Sequence, residues 1–243
     1  MQPRLYTDLT AWYRLIDPPQ DHQDEAASYQ RALERMANPP VETLLELGAG
    51  AGHNAFHLKQ RFRCTLTDPS PAMQALSRAL NPTCEHAPGD MRTLRLGRVF
   101  DAVLVHDAVM YMLTEADLAA AMATAFMHMR PGGAAVFAPD GVRDDFVEHH
   151  NLLEHDEGTR SVRGLEWSWD PDPSDDTCRV DYTFMLRDGA DVEVVHDVHI
   201  EGMFTRATWH RLLTEAGFEV ATFTRPLDEA GAFDEVFVCR RPL

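Results

Sequence analysis

Seven consecutive residues, Glu46-Leu47-Gly48-Ala49-Gly50-Ala51-Gly52, combine three alternate glycines with a carboxylate just ahead of them. Glycine has no Cβ, so such a loop lets the backbone come into contact with a ligand. A helix opening at the end of the loop would aim free N–H groups at the same ligand. Alone, the pattern fits several nucleotide-like ligands and also a plain tight turn. Three details narrow it. The third glycine is Gly52 and His53 follows, whereas a dinucleotide fingerprint places its third glycine one residue later. Glu46 would be costly beside a pyrophosphate but suits a ligand carrying an ammonium and a sulfonium. Asp68 lies about 20 residues beyond Gly48, the spacing at which an acid bonds ribose hydroxyls. Asp68-Pro69-Ser70-Pro71 reads equally as a turn or helix cap, and the two roles are compatible.

The elements that must position these residues alternate from Val41 onward. Apolar strands are expected at 41–47, 63–67, 100–105 and 134–138, and helices at 52–60, 73–80 and 115–129. Apolar strands separated by helices imply a parallel sheet covered on both faces. The pattern then changes to three alternating strands at 164–169, 179–186 and 192–200, with connections too short for parallel crossovers. A helix at 208–216 and two strands, 218–224 and 235–240, close the chain. Ahead of all this, Leu9, Trp12, Tyr13 and Ile16 fall at helical spacing, and a second helix from about Asp24 should stop before Asn38-Pro39-Pro40. The organisation read is an N-terminal helical cap (1–40), a doubly wound, Rossmann-like α/β domain with a seven-stranded sheet (41–140 and 204–243), and an antiparallel β insertion after strand five (141–203) covering the substrate pocket.

With these segments in order, the sequence resembles the class I S-adenosylmethionine-dependent methyltransferases over almost its whole length. Glu46 to Gly52 is similar to the family's first motif, and Asp68 to its ribose-binding acid, with Pro69 to Met73 as the usual continuation. Gly89-Asp90-Met91 resembles the segment whose acid meets the adenine amino group, with Met91 beside the ring. Phe100-Asp101-Ala102-Val103 resembles the fourth strand, and Arg130-Pro131-Gly132-Gly133 the turn before the fifth. The resemblance implies S-adenosylmethionine as cofactor, held by Glu46, Gly48, Ala49, Gly50, His53, Asp68, Pro69, Met73, Gly89, Asp90, Met91 and His106. It further implies an N-terminal lid from which Tyr6 or Tyr13 reaches the amino-acid end. Among relatives, the helices, the insertion and Glu201-Gly202-Met203-Phe204-Thr205 resemble the N,N-dimethyltransferases of nucleotide-linked amino sugars.

Methyl transfer from a sulfonium needs alignment more than activation, so positioning can supply on the order of 7–11 kcal/mol. A protein base is required only where the acceptor carries a proton that must leave. In an open α/β sheet the ligands lie beyond the carboxyl ends of the strands. That places His106, Asp107 and Tyr111 at the chemistry: His106 as base, Asp107 orienting it or holding an amine, Tyr111 beside the methyl group. Backbone contact, turn capping and simple packing are the alternatives for the three. In the insertion, Leu165, Trp167 and Trp169 are expected to pack the sheet on the main domain. The face carrying Glu193, Asp197, His199 and Glu201 is expected in solvent; facing the pocket, it would suit a cationic amine.

The acceptor expected is therefore a small molecule, an amine of amino-sugar type or alternatively a hydroxyl; a non-catalytic S-adenosylmethionine-binding protein is the third reading. A net charge of −17 would repel nucleic acid. No apolar run is long enough to span a membrane and no signal-peptide core follows Met1, so a cytoplasmic monomer or homodimer is expected. Cys64, Cys84, Cys178 and Cys239 lack paired spacing, and His149, His150 and His155 lack ligand spacing, so no metal is expected.

Overall fold

The computed structural model describes residues 3–226 and 233–243; Met1, Gln2 and residues 227–232, part of the range expected to close the main domain, lie outside that description. Two sheets are present. The larger has seven strands: β1 (Thr43–Leu47), β2 (Arg63–Asp68), β3 (Glu85–Pro88), β4 (Phe100–His106), β5 (Met129–Ala138), and the closing pair β10 (Glu219–Pro226) and β11 (Phe233–Arg240). Their spatial order is β10-β11-β5-β4-β1-β2-β3, parallel except for β11, which runs antiparallel to both β5 and β10. The order reverses at β1, between β2 and β4, which opens a crevice at the carboxyl ends of β1 and β4. The doubly wound fold read from the sequence is the one observed.

Both faces of this sheet are covered, as its unbroken apolar strands require. Val103 and Val105 of β4 face α5 (Glu115–Met127) and α6 (Arg206–Glu215), packing with Leu118, Met122, Trp209 and Leu213. Ala102 and Leu104 face the other layer, with Tyr29 and Leu33 of α2 (Gln23–Met36) and Leu58 of α3 (His53–Leu58). Each such buried aliphatic side chain contributes roughly 1.5–3 kcal/mol. The helix α2 is therefore part of the core rather than only a cap, because Ala26, Tyr29 and Leu33 form a buried stripe. Helix α4 (Pro71–Leu80) follows β2, capped by the Ser70 hydroxyl, which accepts from the Met73 amide. Residues 130–133, expected as a turn ahead of β5, instead form an irregularity inside it: Phe100 pairs with Met129, but Ala102 with Ala134.

The second sheet has four antiparallel strands in sequential order, β6 (His149–Glu157), β7 (Arg160–Trp169), β8 (Thr177–Asp188) and β9 (Asp191–Gly202). Three were legible. The first, β6, is largely polar and exposed, so it lacks the apolar alternation that marks a strand.

The two faces of this sheet are opposite to the expectation. Leu165 and Trp167 are 36% and 44% exposed on the outside, with Val192 and Val194, while Asp197, His199 and Glu201 are buried. The reason lies in what the inner face meets. At its far end Val162, Phe184, Leu186 and Val195 pack on Leu5, Leu9, Leu15 and Ile16, from the N-terminus and α1 (Thr10–Ile16). Strand alternation then fixes Asp197, His199 and Glu201 on the same side as Val195, where Asp197 meets the Leu5 amide and His199 meets Tyr111. The stripe of Leu165, Trp167 and Trp169 falls on the other side, with Glu166 turned inward.

Candidate functional site

One cavity of about 280 Å³ sits at the crevice, between the ends of β1 and β4, the glycine loop and the N-terminal segment. Its wall is made by Tyr13, Glu46, Gly48, Ala49, Gly50, His53, Asp68, Pro69, Met73, Asp90, Met91, His106, Asp107 and Tyr111 together. Of the residues expected from sequence, only Gly89 stands outside it. Gly89 is small for a packing reason: a Cβ there would lie 2.4 Å from Leu94 Cδ1. Residues that sequence reasoning passed over also line the cavity, among them Asp17, His22, Asn54, Ser70 and Arg92.

The glycine loop is required by its surroundings. Gly48 has φ of +72°, and a Cβ on it would stand 2.5 Å from Ala108 Cβ and 2.7 Å from Met91 Cε. Gly52, at φ of +78°, would drive a Cβ to 2.4 Å from Asn81 Nδ2. The loop is fastened by Asp68, whose Oδ2 accepts from the Gly50 amide at 2.9 Å and whose Oδ1 accepts from the Ser70 amide at 2.7 Å. Burial pushes the Asp68 carboxyl up, and these two N–H donors oppose the rise. Glu46 is 3% exposed, and its Oε2 has no hydrogen-bond partner. Burial moves its carboxyl up to about 8. Asp90 lies flat against Arg92, with the Nε 3.0 and 3.1 Å from its two oxygens, and Arg92 holds it below the ordinary carboxylate range.

At the far side the chain carries a network from the N-terminal helices into the crevice. Glu25, 9% exposed, accepts from His22 Nδ1 at 2.7 Å and Asn54 Nδ2 at 2.9 Å, and its Oε2 is 3.4 Å from His106 Nε2. Asp17 takes the other His22 nitrogen at 2.7 Å and reaches His53 Nδ1 at 3.1 Å. Glu25 was legible only as an acid in the first helical turn. Its place in the buried stripe of Ala26, Tyr29 and Leu33 was the signal that it faces inward.

His106 stands at the end of β4, as expected, but both its nitrogens are engaged. Nε2 is 2.5 Å from Asp107 Oδ1, and Nδ1 is 3.1 Å from Asn54 Nδ2. Burial alone would lower its proton affinity, but Asp107, Tyr29 and Glu25 outweigh this and hold the imidazole well above its ordinary value. With Asn54 donating to Nδ1, or with a second proton there and the amide turned over, no free lone pair faces the cavity. The geometry thus counts against His106 as base. Asp107 itself has φ of +33°, a strained backbone for a non-glycine residue, which aims its side chain beside Asp140.

Beyond the cavity lining stand Glu166 on β7 and Glu201 on β9. Glu201 is 8% exposed, and burial with Glu166 and Asp107 nearby moves it up to about 8. Asp140 is pushed well above its ordinary value by burial, Asp107 and Glu201. The Tyr6 and Tyr111 hydroxyls meet at 2.9 Å, and Tyr111 Oη lies 2.8 Å from His199 Nδ1.

Comparison with known proteins places the chain among methyltransferases. The sequence pattern of the methyltransferase domain family covers residues 44–133, from β1 to the start of β5. A dTDP-3-amino-3,4,6-trideoxy-alpha-D-glucopyranose N,N-dimethyltransferase of Streptomyces venezuelae is 29% identical over 191 residues, 77% of this chain and 80% of the relative. Among solved structures, DesVI of Streptomyces venezuelae superposes with a TM-score of 0.84 at 26% identity, over 98% of each chain. The S-adenosylmethionine-bound CalS10 of Micromonospora echinaspora, an amino pentose methyltransferase, reaches 0.78 at 29% identity over 90% of this chain and 91% of its own. The chain is a class I S-adenosylmethionine-dependent methyltransferase.

The cavity of this methyltransferase fits its cofactor on its own evidence. The unpartnered Glu46 Oε2 is the one buried carboxylate oxygen beside the glycine loop with nothing to bind, and an ammonium would satisfy it. Gly50 lines the cavity, and nothing stands within 4 Å of where a Cβ on it would sit, so the loop backbone there is open to a close ligand. No helix among the described residues of the methyltransferase is long and apolar enough to cross a membrane.

Proposed function

We propose that the methyltransferase acts on an amine nitrogen of a small, amino-sugar-like acceptor, and that the expected site residues divide into two sets. Glu46 meets the cofactor's ammonium, Gly48, Ala49 and Gly50 approach its backbone-facing edge, and Asp68 holds the ribose. Asp90 and Met91 flank the adenine, with Tyr13, His53, Pro69 and Met73 completing that wall. The cofactor supplies the activated methyl group. Asp107, with Tyr6 and Tyr111, lies at the acceptor side, and His106 serves to hold Asp107 in place.

The observation that carries the amine reading is the acidic wall. Asp107 lines the cavity, and Asp140, Glu166 and Glu201 stand close enough behind it to act on one another's charge; among the described residues Arg143 donates to the Met203 and Pro173 carbonyls, and Arg179 is spent on Asp181. Neighbouring like charges raise one another's proton affinity, and a cation between them relieves this. A hydroxylated acceptor gains nothing from such a wall; an amine does. The relatives' printed substrates, dTDP-linked amino sugars, support the same choice. The net charge of −17 and the four free thiols support a small-molecule enzyme of the cytoplasm, as a monomer or homodimer.

Replacing Glu201 tests the reading. Glu201→Gln keeps the shape but removes the ability to ionise opposite a cation, so KM for a cationic amine acceptor is expected to rise about tenfold, the loss of one charge-assisted contact worth about 1.5 kcal/mol. KM for S-adenosylmethionine should stay unchanged. Equal KM for the amine in both proteins, measured by initial rates, would refute the proposed role of the wall.

A further inference from the structure

Four side chains, two buried behind the cavity and two lining it, form one chain of hydrogen bonds. Asp197 Oδ2 accepts from the Leu5 amide at 2.8 Å and faces His199 Nε2 at 3.1 Å. His199 Nδ1 faces Tyr111 Oη at 2.8 Å, and Tyr111 Oη faces Tyr6 Oη at 2.9 Å. His199 is 1% exposed and Asp197 5%, so neither exchanges protons directly with bulk water. Both tyrosines line the cavity.

The direction of every bond in this chain is fixed by its far end. Asp197 also accepts from the Val198 amide at 3.0 Å, so as a carboxylate it can only accept from His199. The Nε2 of His199 therefore carries its proton, which leaves the Nδ1 lone pair toward Tyr111. Tyr111 must donate to Nδ1, and its oxygen is then an acceptor for the Tyr6 O–H. The Tyr6 oxygen is left as an acceptor at the cavity wall. An aspartate that fixes the tautomer of a histidine, and stabilises the imidazolium formed when that histidine takes a proton, is a recurrent catalytic arrangement.

We propose that Asp197, His199, Tyr111 and Tyr6 form a proton relay that strips the acceptor ammonium before methyl transfer. The proposal rests on the amine reading above. An ammonium drawn in by the acidic wall has no lone pair, so one proton must leave before nitrogen can attack. That proton passes from nitrogen to Tyr6 Oη as the Tyr6 proton moves to Tyr111 Oη and the Tyr111 proton moves to His199 Nδ1. The relay then holds one imidazolium against Asp197, and the acceptor is a neutral amine. Nitrogen forms its bond to the methyl carbon as the carbon–sulfur bond breaks, the electron pair going to sulfur. The product leaves as a methylated ammonium, and His199 returns its proton through the same chain to water in the emptied cavity.

Burial supports each step. It holds the Tyr6 and Tyr111 phenols far above their ordinary range, so both pass protons on without resting as phenolates. It also lowers His199, against the opposing pull of Asp197, so the ring is neutral and able to accept at rest. The groups facing the ring are Asp197 from its own strand, Tyr182 from β8, Tyr111 after β4 and Tyr6 from the N-terminus. Asp197 and His199 are thus positioning residues, and Tyr6 is the group placed to touch the acceptor.

The test combines a conservative variant with a measurement on the unaltered protein. Tyr111→Phe interrupts the relay at one atom, and kcat at neutral pH is expected to fall on the order of a hundredfold. The deficit should shrink as pH rises and the amine loses its proton unaided, while KM for S-adenosylmethionine holds. A role in packing alone would give a deficit equal at all pH values, and that result, or undiminished kcat, overturns the relay. Nitrogen NMR of the wild-type enzyme with bound S-adenosylhomocysteine gives the second reading: His199 should be neutral with its proton on Nε2. A proton on Nδ1 instead breaks the chain at Tyr111 and overturns the proposal even if the variant fails to fold. A wild-type enzyme that methylates no amine would sink the amine reading, whereas amine turnover equal in wild type and Tyr111→Phe would sink only the relay.

Discussion

Asp68→Ala is expected to weaken S-adenosylmethionine binding about a hundredfold, some 2.8 kcal/mol, while leaving the fold intact. Two losses add in this one substitution. The first is the contact assigned to the ribose hydroxyls, a charge-assisted pair worth about 1.5–3 kcal/mol. The second is internal: the Gly50 and Ser70 amides both donate to Asp68, so its removal releases the glycine loop and the start of α4 together. A loop no longer held at positive φ must be re-ordered by the ligand, which costs binding energy. Asp68→Asn keeps one acceptor oxygen and should fall between wild type and Ala. Titration calorimetry with S-adenosylhomocysteine reads the effect, and a dissociation constant unchanged in the Ala variant would remove Asp68 from the cofactor site.

The largest effect on stability is expected at Glu25. This carboxylate joins His22, Asn54 and His106, and its Oε2 lies 3.5 Å from Arg225. Removing one partner of a buried ion network leaves the others uncompensated, at a cost of roughly 3–5 kcal/mol. For a chain of this size that lowers Tm by about 10 °C. The same network sets a pH signature. Burial would raise Glu25, but His106 and His22 hold it far below its ordinary 4.5, so its contribution is present above that value and is lost as the solution is acidified. For His22, burial would lower the ring, but Asp17 and Glu25 raise it from 6.5 to about 10. Its contribution is complete below pH 6.5 and is lost as pH climbs toward 10. Glu25→Ala should therefore flatten both limbs of the wild-type Tm profile. Scanning calorimetry across the range checks this, and parallel profiles displaced by a constant would show that Glu25 acts through packing alone.

The contrast between these two residues shows what the sequence made readable. Asp68 was legible because loop, strand end and spacing are local, and local order is what a sequence displays. Fourteen of the fifteen residues expected at the site line the cavity at the crevice; Gly89 does not, since the demand for a small residue there comes from Leu94. Glu25 lies in another element, and its partners come from the turn ahead of α2, from α3, from the end of β4 and from β10. Only tertiary packing brings them together. The phase of the second sheet was misread for a related reason. Alternation separates two faces of a strand but does not say which is covered, and the more apolar face of β9 is the outer one. What decided it was Val195, buried with Phe184 and Leu186 on the N-terminal segment, which carries Asp197, His199 and Glu201 inward with it. His106 lies at the strand end where the sequence placed it, and nothing local to β4 shows that Asn54 engages its Nδ1 or that Glu25 stands 3.4 Å from its Nε2.

The central claim is that this cavity delivers a methyl group from S-adenosylmethionine to an amine. It is tested most directly by incubating the enzyme with methyl-carbon-labelled S-adenosylmethionine and a panel of amino sugars, simple amines and phenols, and locating the label by NMR. The account predicts the label on nitrogen of an amino-sugar acceptor, with S-adenosylhomocysteine formed in step. Label confined to phenolic or sugar oxygens, or none transferred to any member of the panel, would contradict it.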